Sequence, residues 1–156
     1  MKSLINIFNN HELYVPSKLS LKKWADKLLS YHINCSIDYC FNINIVKSEE
    51  MRSFNFKYRK KNKTTNILSF PFQSLPGKFY SKCDLVFLGD MIICPNVLED
   101  EAKKQKKKLN DHWCHIFIHG ILHLLGYDHQ TLHETKIMES LETSLLKDFN
   151  IADPYL

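Results

Sequence analysis

Three histidines in this chain have the side-chain type and spacing of a metal site. His119, His123 and His129 stand at i, i+4 and i+10, with Gly126 at i+7. The largely apolar run Trp113–Ile118 just before them predicts a buried helix that reaches Leu125. Helical periodicity puts His119 and His123 one above the other on a single face. Gly126 suits the left-handed conformation that ends a helix, and a reversal there brings His129 round to the other two. Three imidazoles on one point bind Zn²⁺ and leave a fourth position open to water, the arrangement of catalytic zinc. Other divalent ions also accept three imidazoles. The competing reading is a buried helix whose histidines make ordinary hydrogen bonds. Three histidines at this spacing, with the glycine, weigh against it.

The spacing H-x-x-x-H-x-x-G-x-x-H resembles the metzincin protease motif H-E-x-x-H-x-x-G-x-x-H. One position differs: Gly120 stands where those proteases carry the glutamate that serves as general base. The metal-holding part is intact and the peptidase base is absent. His112 and His115 precede His119 by seven and four residues and share its face. They either line a substrate groove and donate protons or are polar surface residues of the first turns; His115 is the better catalytic candidate. Asp128 either orients a histidine or stabilises the turn.

Two further segments bear on the site. The basic loop Arg59-Lys-Lys-Asn-Lys-Thr-Thr65 reads equally as a phosphate clamp and as a solvated loop. In the first reading Arg59 offers a planar bidentate fork, and Lys60 and Lys61 supply point charges to a substrate. Asp90 interrupts an apolar run with Gly89 before it. A carboxylate there needs a partner, so it either hydrogen-bonds a metal-binding histidine or faces water at a bulge. The lysine run 103–108 has a plainer account as favourable charge at a helix C-terminus.

The elements that must position these residues are legible from periodicity. Leu4–Phe8 predicts a first strand, and Pro16-Ser17 opens an amphipathic helix through Leu19, Leu21, Trp24, Leu28 and Leu29. Residues 36–46 alternate as a half-buried strand. Ser48-Glu-Glu opens a helix that turns Met51, Phe54 and Tyr58 inward and delivers Arg59 at its end. Thr65–Pro71 reads as a short strand near a sheet edge, 72–83 as a loop, and Leu85–Ile93 as a strand. Pro95–Gln105 predicts a helix, and Asn110 or Asp111 caps the histidine helix. Thr131-Leu-His-Glu134 has the form of a capping box, opening a last helix with Ile137, Met138, Leu141, Leu145, Leu146 and Phe149 inward. The expected class is α+β: one domain over residues 1–156, a small mixed sheet packed with helices, with the metal site at the sheet's edge.

The bulk properties exclude little but agree. With 156 residues, 44% hydrophobic and 24% charged, the chain can bury a genuine core. A net charge of +4 permits an anionic partner without demanding one. Five cysteines with no C-x-x-C spacing argue against a disulfide framework and for a reducing compartment. Cys114 is displaced round the helix from His119 and is a poor ligand. No signal peptide and no membrane-spanning stretch is expected, which points to the cytoplasm.

The histidine segment His119–His129 resembles the signature of the YbeY family of bacterial ribosomal-RNA maturation factors. Asn55-Phe-Lys-Tyr-Arg59 through Asn66-Ile-Leu-Ser-Phe-Pro71, Leu88-Gly-Asp90 and the closing Asp153-Pro-Tyr155 are also similar, in the same order. The resemblance implies a zincin-like fold and a single-strand-specific, zinc-dependent endoribonuclease acting in late 3′-end maturation of small-subunit ribosomal RNA and in ribosome quality control. It also implies a functional arginine in the segment that holds Arg59. The implied partners are single-stranded ribosomal RNA and the small ribosomal subunit, with neither DNA nor membrane. Two other classes compete: a ribosome assembly factor with little or no catalysis, and a metalloprotease, which Gly120 disfavours.

Overall fold

The structure is a computed structural model that describes residues 3–32, 37–72 and 85–156. The loop expected over 72–83 lies, beyond Phe72, outside the described residues, as do Cys35 and Cys83. The chain runs β1 (Ser3–Phe8), α1 (Lys18–His32), β2 (Asp38–Ile45), α2 (Ser48–Arg59), β3 (Ile67–Pro71), β4 (Leu85–Ile93), α3 (Pro95–Lys104), α4 (Leu109–Leu124) and α5 (Leu132–Asp148). This is the α+β class expected, with a mixed four-stranded sheet.

The sheet order is β1-β2-β4-β3. β1 and β4 both run parallel to β2, and β3 pairs antiparallel with β4 at the edge. Alternation sorts the sheet's residues between its two faces. Phe41, Ile43, Met91 and Ile93 face the main core beneath α1 and α4. Leu68 and Ile92, each offset by one residue from that set, join Met51 of α2 in a second cluster on the opposite face. The main core centres on α4: Phe117 meets Trp24 of α1 at 6.1 Å and Phe41 of β2 at 5.9 Å between ring centroids. Truncating a buried aromatic of this kind costs about 3–5 kcal/mol.

Two glycines set the approach of backbone to backbone. Gly89 has φ +141°, and a Cβ there would lie 2.2 Å from the Phe70 carbonyl oxygen. It sits at a register shift where β4 carries one residue more than β2, so Leu88 is passed over between Phe87 and Gly89. Gly120 on α4 lies against β3 and β4, where a Cβ would stand 2.5 Å from Ile67 Cδ1 and 2.6 Å from Met91 Sδ. Ser69 of β3 donates its hydroxyl to the Gly120 carbonyl at 3.3 Å. That close contact seats the histidine helix beside the edge strand.

Local expectations change on four helices. On α1, Leu19, expected on the buried stripe, is exposed, because it falls on the opposite side of the helix from Leu21 and Leu28. On α2, Tyr58 is half exposed and Asn55 is the buried residue, its side-chain amide donating to the Lys63 carbonyl at 2.8 Å. The loop after the helix needs that anchor more than the core needs another ring. On α4, neither Asn110 nor Asp111 caps; Lys108 is the N-cap and makes no side-chain cap bond. On α5 the capping box forms between Thr131 and Glu134 as expected, but Ile137 is exposed and Glu142 is fully buried. Among the described residues no helix is long and apolar enough to cross a membrane.

Candidate metal centre

Helix α4 ends where the glycine predicts. Gly126 has φ +101° and donates its N–H to the His123 carbonyl, while Tyr127 N–H reaches back to the Leu122 carbonyl at 3.0 Å. This pair of bonds is the Schellman reversal, and it satisfies carbonyls that the helix end leaves without partners. Asp128 then accepts the His129 N–H at 2.8 Å and fixes the turn that carries the third imidazole back. Of the two roles open to Asp128, this contact is with backbone.

The three rings converge. His119 Nε2 and His123 Nε2 lie 3.1 Å apart, and one nitrogen from each of the three histidines falls within 4.8 Å of the others. Two imidazole nitrogens bound tetrahedrally to zinc, each at about 2.0–2.1 Å, stand about 3.3–3.4 Å apart. The observed spacing fits one ion shared by the rings. Burial holds His123 well below the ordinary imidazole range, at about 4, helped by the neighbouring His119 and His129; a backbone hydrogen bond with Tyr127 and the charge of Asp128 pull the other way. A neutral imidazole is the protonation state a metal ligand requires.

Behind His119 lies a residue that sequence reasoning passed over. Glu142 of α5 has no exposed surface, and its carboxylate accepts from His119 Nδ1 and from the Tyr155 hydroxyl. His115 Nε2 stands 3.5 Å from the same carboxylate and 3.2 Å from the Tyr155 oxygen. Burial alone would raise the Glu142 carboxyl, yet hydrogen bonds from His115 and His119, the charge of His119 and the Tyr155 hydroxyl bring it down to about 2. Tyr155 moves up for the converse reasons, burial first and then its bond to Glu142. An ionised carboxylate is acceptor-only, so His119 carries its proton on Nδ1 and turns Nε2 toward the other two rings. The overlooked signal was positional: Glu142 lies four residues after Met138 and three before Leu145, on the buried stripe of α5.

On its open side the triad meets Arg59. A cavity of about 450 Å³ is lined by Arg59, Ser69, Pro71, Tyr127, His123 and His129 among others. Arg59 is placed by the end of α2, where Lys60 takes the left-handed conformation at φ +58° and sends its N–H back to the Phe56 carbonyl. Lys60 and Lys61 are exposed beside this cavity and do not line it. His115, weighed as a catalytic residue, lies off the cavity, because its turn of α4 faces α5 and the C-terminal segment. Asp90 is brought to no histidine among the described residues: it accepts from the Asn42 side chain at 2.9 Å on the opposite face of the sheet. The alternation that points Met91 at Gly120 points Asp90 away. His112, expected at the surface or in a groove, is 3% exposed and bonded to Glu101 at 3.1 Å. Cys114 is buried and its thiol is pushed up to about 12 by burial, with Asp111 adding to it, which keeps it off the ligand set.

Comparison with known proteins gives a concordant set of matches. The family model described as Endoribonuclease YbeY matches residues 6–150. The endoribonuclease YbeY of Francisella tularensis subsp. novicida strain U112 is 46% identical over 97% of this chain and 92% of its own length. That of F. tularensis subsp. tularensis strain SCHU S4 is also 46% identical, over 97% of this chain and 89% of its own. A solution structure from Thermotoga maritima is similar in fold, with a TM-score of 0.58 and 23% identity, over 94% of this chain and 92% of that one.

Proposed function

This chain belongs to the YbeY family of endoribonucleases, and from that premise we propose that it is a single-strand-specific, zinc-dependent endoribonuclease of the cytoplasm. Its substrate in this reading is small-subunit ribosomal RNA, cut late in 3′-end maturation and in ribosome quality control. One juxtaposition supports the reading most: Arg59, from the far side of the sheet edge, opens on the same cavity as His123 and His129. A metal site alone serves many chemistries. An ion site facing a guanidinium fork suits a phosphodiester.

Residues 1–156 act as one catalytic domain in this reading. His119, His123 and His129 hold the ion, whose chemistry when bound is that of a Lewis acid able to polarise a phosphate oxygen and activate water. Arg59 binds the scissile phosphate in bidentate fashion and stabilises the charge that builds on it. Lys60 and Lys61, on the exposed loop that follows, hold the neighbouring backbone by charge. Asp128 is the one acidic residue among the described residues lining the cavity, and its Oδ1 is occupied by the His129 amide. With Gly120 where the protease glutamate would stand and one oxygen of Asp128 engaged by backbone, proton removal falls to solvent or to a substrate oxygen in this reading, and a slow intrinsic rate is expected. That same observation favours a second reading, a ribosome assembly factor with weak catalysis. A metalloprotease is disfavoured by packing: position 120 points into Ile67 and Met91, so a glutamate base cannot be seated there.

The test is cleavage of a short single-stranded RNA and its duplex by purified protein, with and without chelator, beside His119→Ala and Arg59→Ala. The expected result is cutting of the single strand that stops with chelator, returns with Zn²⁺ and is lost in both variants. Cleavage that persists in His119→Ala would sink the enzyme reading of this site. Retained binding to small-subunit precursor particles with no cleavage by the wild type would support the assembly-factor reading.

A further inference from the structure

We propose that Glu142 is the positioning residue of the metal centre, and that Tyr155 locks it, so that the C-terminal turn of the chain sets how tightly the three histidines hold their ion. The inference rests on the reading that these histidines bind a metal. It goes further by assigning metal affinity to residues outside the triad, one of them the penultimate residue of the chain.

The geometry is that of a carboxylate–histidine–metal relay. A histidine ligand needs its second nitrogen anchored, because the ring otherwise samples two tautomers and a range of rotations. His119 is anchored by Glu142, which is fully buried and aimed at Nδ1. A carboxylate with no exposed surface must in turn have its remaining lone pairs filled. Its second oxygen faces the Tyr155 hydroxyl and His115 Nε2. The same phenol oxygen lies 3.2 Å from His115 Nε2, so the hydroxyl donates to Glu142 while it can accept from His115.

Tyr155 reaches this point because the chain is folded back onto α5. Asn150 takes φ +60°, and Ile151 N–H returns to the Leu146 carbonyl at 2.9 Å, a left-handed reversal like the one at Gly126. Asp153 then accepts the Tyr155 N–H at 2.8 Å and the Thr143 hydroxyl at 3.5 Å, bracing the last turn against the helix that carries Glu142. A tail held only for packing would not need its phenol directed at a buried carboxylate. His115 thereby takes a supporting role in the same network.

The experiment is competition for Zn²⁺ between a chromophoric chelator and the full chain, with Co²⁺ absorption as a spectroscopic readout of ligand geometry. The variants are Glu142→Gln, Glu142→Asp and Tyr155→Phe, with His123→Ala as the ligand-deleted control. Loss of an orienting partner typically weakens metal affinity by roughly 10–100-fold. Glu142→Gln is expected in that range, Glu142→Asp in between, and Tyr155→Phe weaker than wild type with an altered Co²⁺ spectrum. Thermal unfolding of each metal-free variant separates this from lost fold, and Tyr155→Phe, missing one oxygen, carries the test if Glu142→Gln unfolds. Wild-type affinity in folded Glu142→Gln and Tyr155→Phe overturns the proposal while leaving the triad as ligands. Equal binding by wild type and His123→Ala overturns the proposal together with the reading it rests on.

Discussion

Restoring the protease glutamate at position 120 should cost the protein its stability without giving it peptidase activity. The magnitude follows from the contacts of an added Cβ. It would stand 2.5 Å from Ile67 Cδ1 and 2.6 Å from Met91 Sδ, where carbon contacts favour about 3.5–4.0 Å. Both neighbours would have to retreat by about 1 Å, and Met91 is fully buried. Overpacking by a single methyl costs about 1–3 kcal/mol. Gly120→Ala recovers about 1 kcal/mol of helix propensity, leaving a net loss of roughly 0–2 kcal/mol. Gly120→Glu adds a carboxylate to the same interface, where the Ser69 hydroxyl, 3.3 Å from the Cβ, is the near polar group. Burying an ion with so little compensation costs several kcal/mol more, for a total above about 4 kcal/mol. Against a total stability of about 5–15 kcal/mol that is a large share. At roughly 2–4 °C per kcal/mol, Tm should fall by about 0–8 °C for alanine and by more than about 8 °C for glutamate. Circular dichroism melts of the two variants, run beside a peptide-hydrolysis assay, measure both halves. A Gly120→Glu protein melting within about 2 °C of wild type, or one that gains peptidase activity, would refute the packing argument.

Three more outcomes are expected. Arg59→Ala should reduce RNA cleavage by about 10²–10³-fold with Tm unchanged, since the side chain sits at an exposed helix end; Arg59→Lys should recover little, because an ammonium cannot make the bidentate contact. The metal-free protein should lose stability as pH falls: His123 is held down to about 4 in the fold, so its contribution is present at neutral pH and is lost from about 6.5 toward 4. Glu142, also held low, adds a loss below its ordinary value of 4.5 and toward about 2; a flat melting profile between pH 7 and 4 would contradict the His123 assignment, and one flat from 4.5 toward 2 the Glu142 assignment. Zn²⁺ at about 100 times its Kd should raise stability by about 2.7 kcal/mol in wild type and not in His123→Ala, read as the Tm shift on adding metal.

The parts of the fold and site that were legible in sequence are those whose signal is local. The i, i+4 histidines, Gly126 and the Thr131–Glu134 capping box each depend on neighbours within a few residues, and each stands as the spacing implies. The edge position of β3 followed from Pro71, which cannot donate to a further strand. Asp90 was not legible, because whether it met a histidine depended on which face of β4 turned to α4, and the shift at Gly89 falls next to it. Gly120 was noticed for the chemistry it lacks. Its reason for being glycine lies in Ile67 and Met91, which are remote in sequence.

Glu142 marks the deeper limit and also a way past it. A helix read for its apolar stripe gives Met138, Leu145 and Leu146 and treats a glutamate among them as a solvent-facing exception. Physical chemistry allows no such exception: a carboxylate on a buried face is either paired or protonated. The residue should therefore have raised the question of its partner, and the chain offers few candidates. Lysines are numerous, but the buried face of α5 packs on α4, whose inward polar groups are histidines. Burial and charge alone thus join Glu142 to the histidine helix. Whether His115 or His119 makes the closer bond to Glu142 is a question of register between two helices, and the fold gives it to His119.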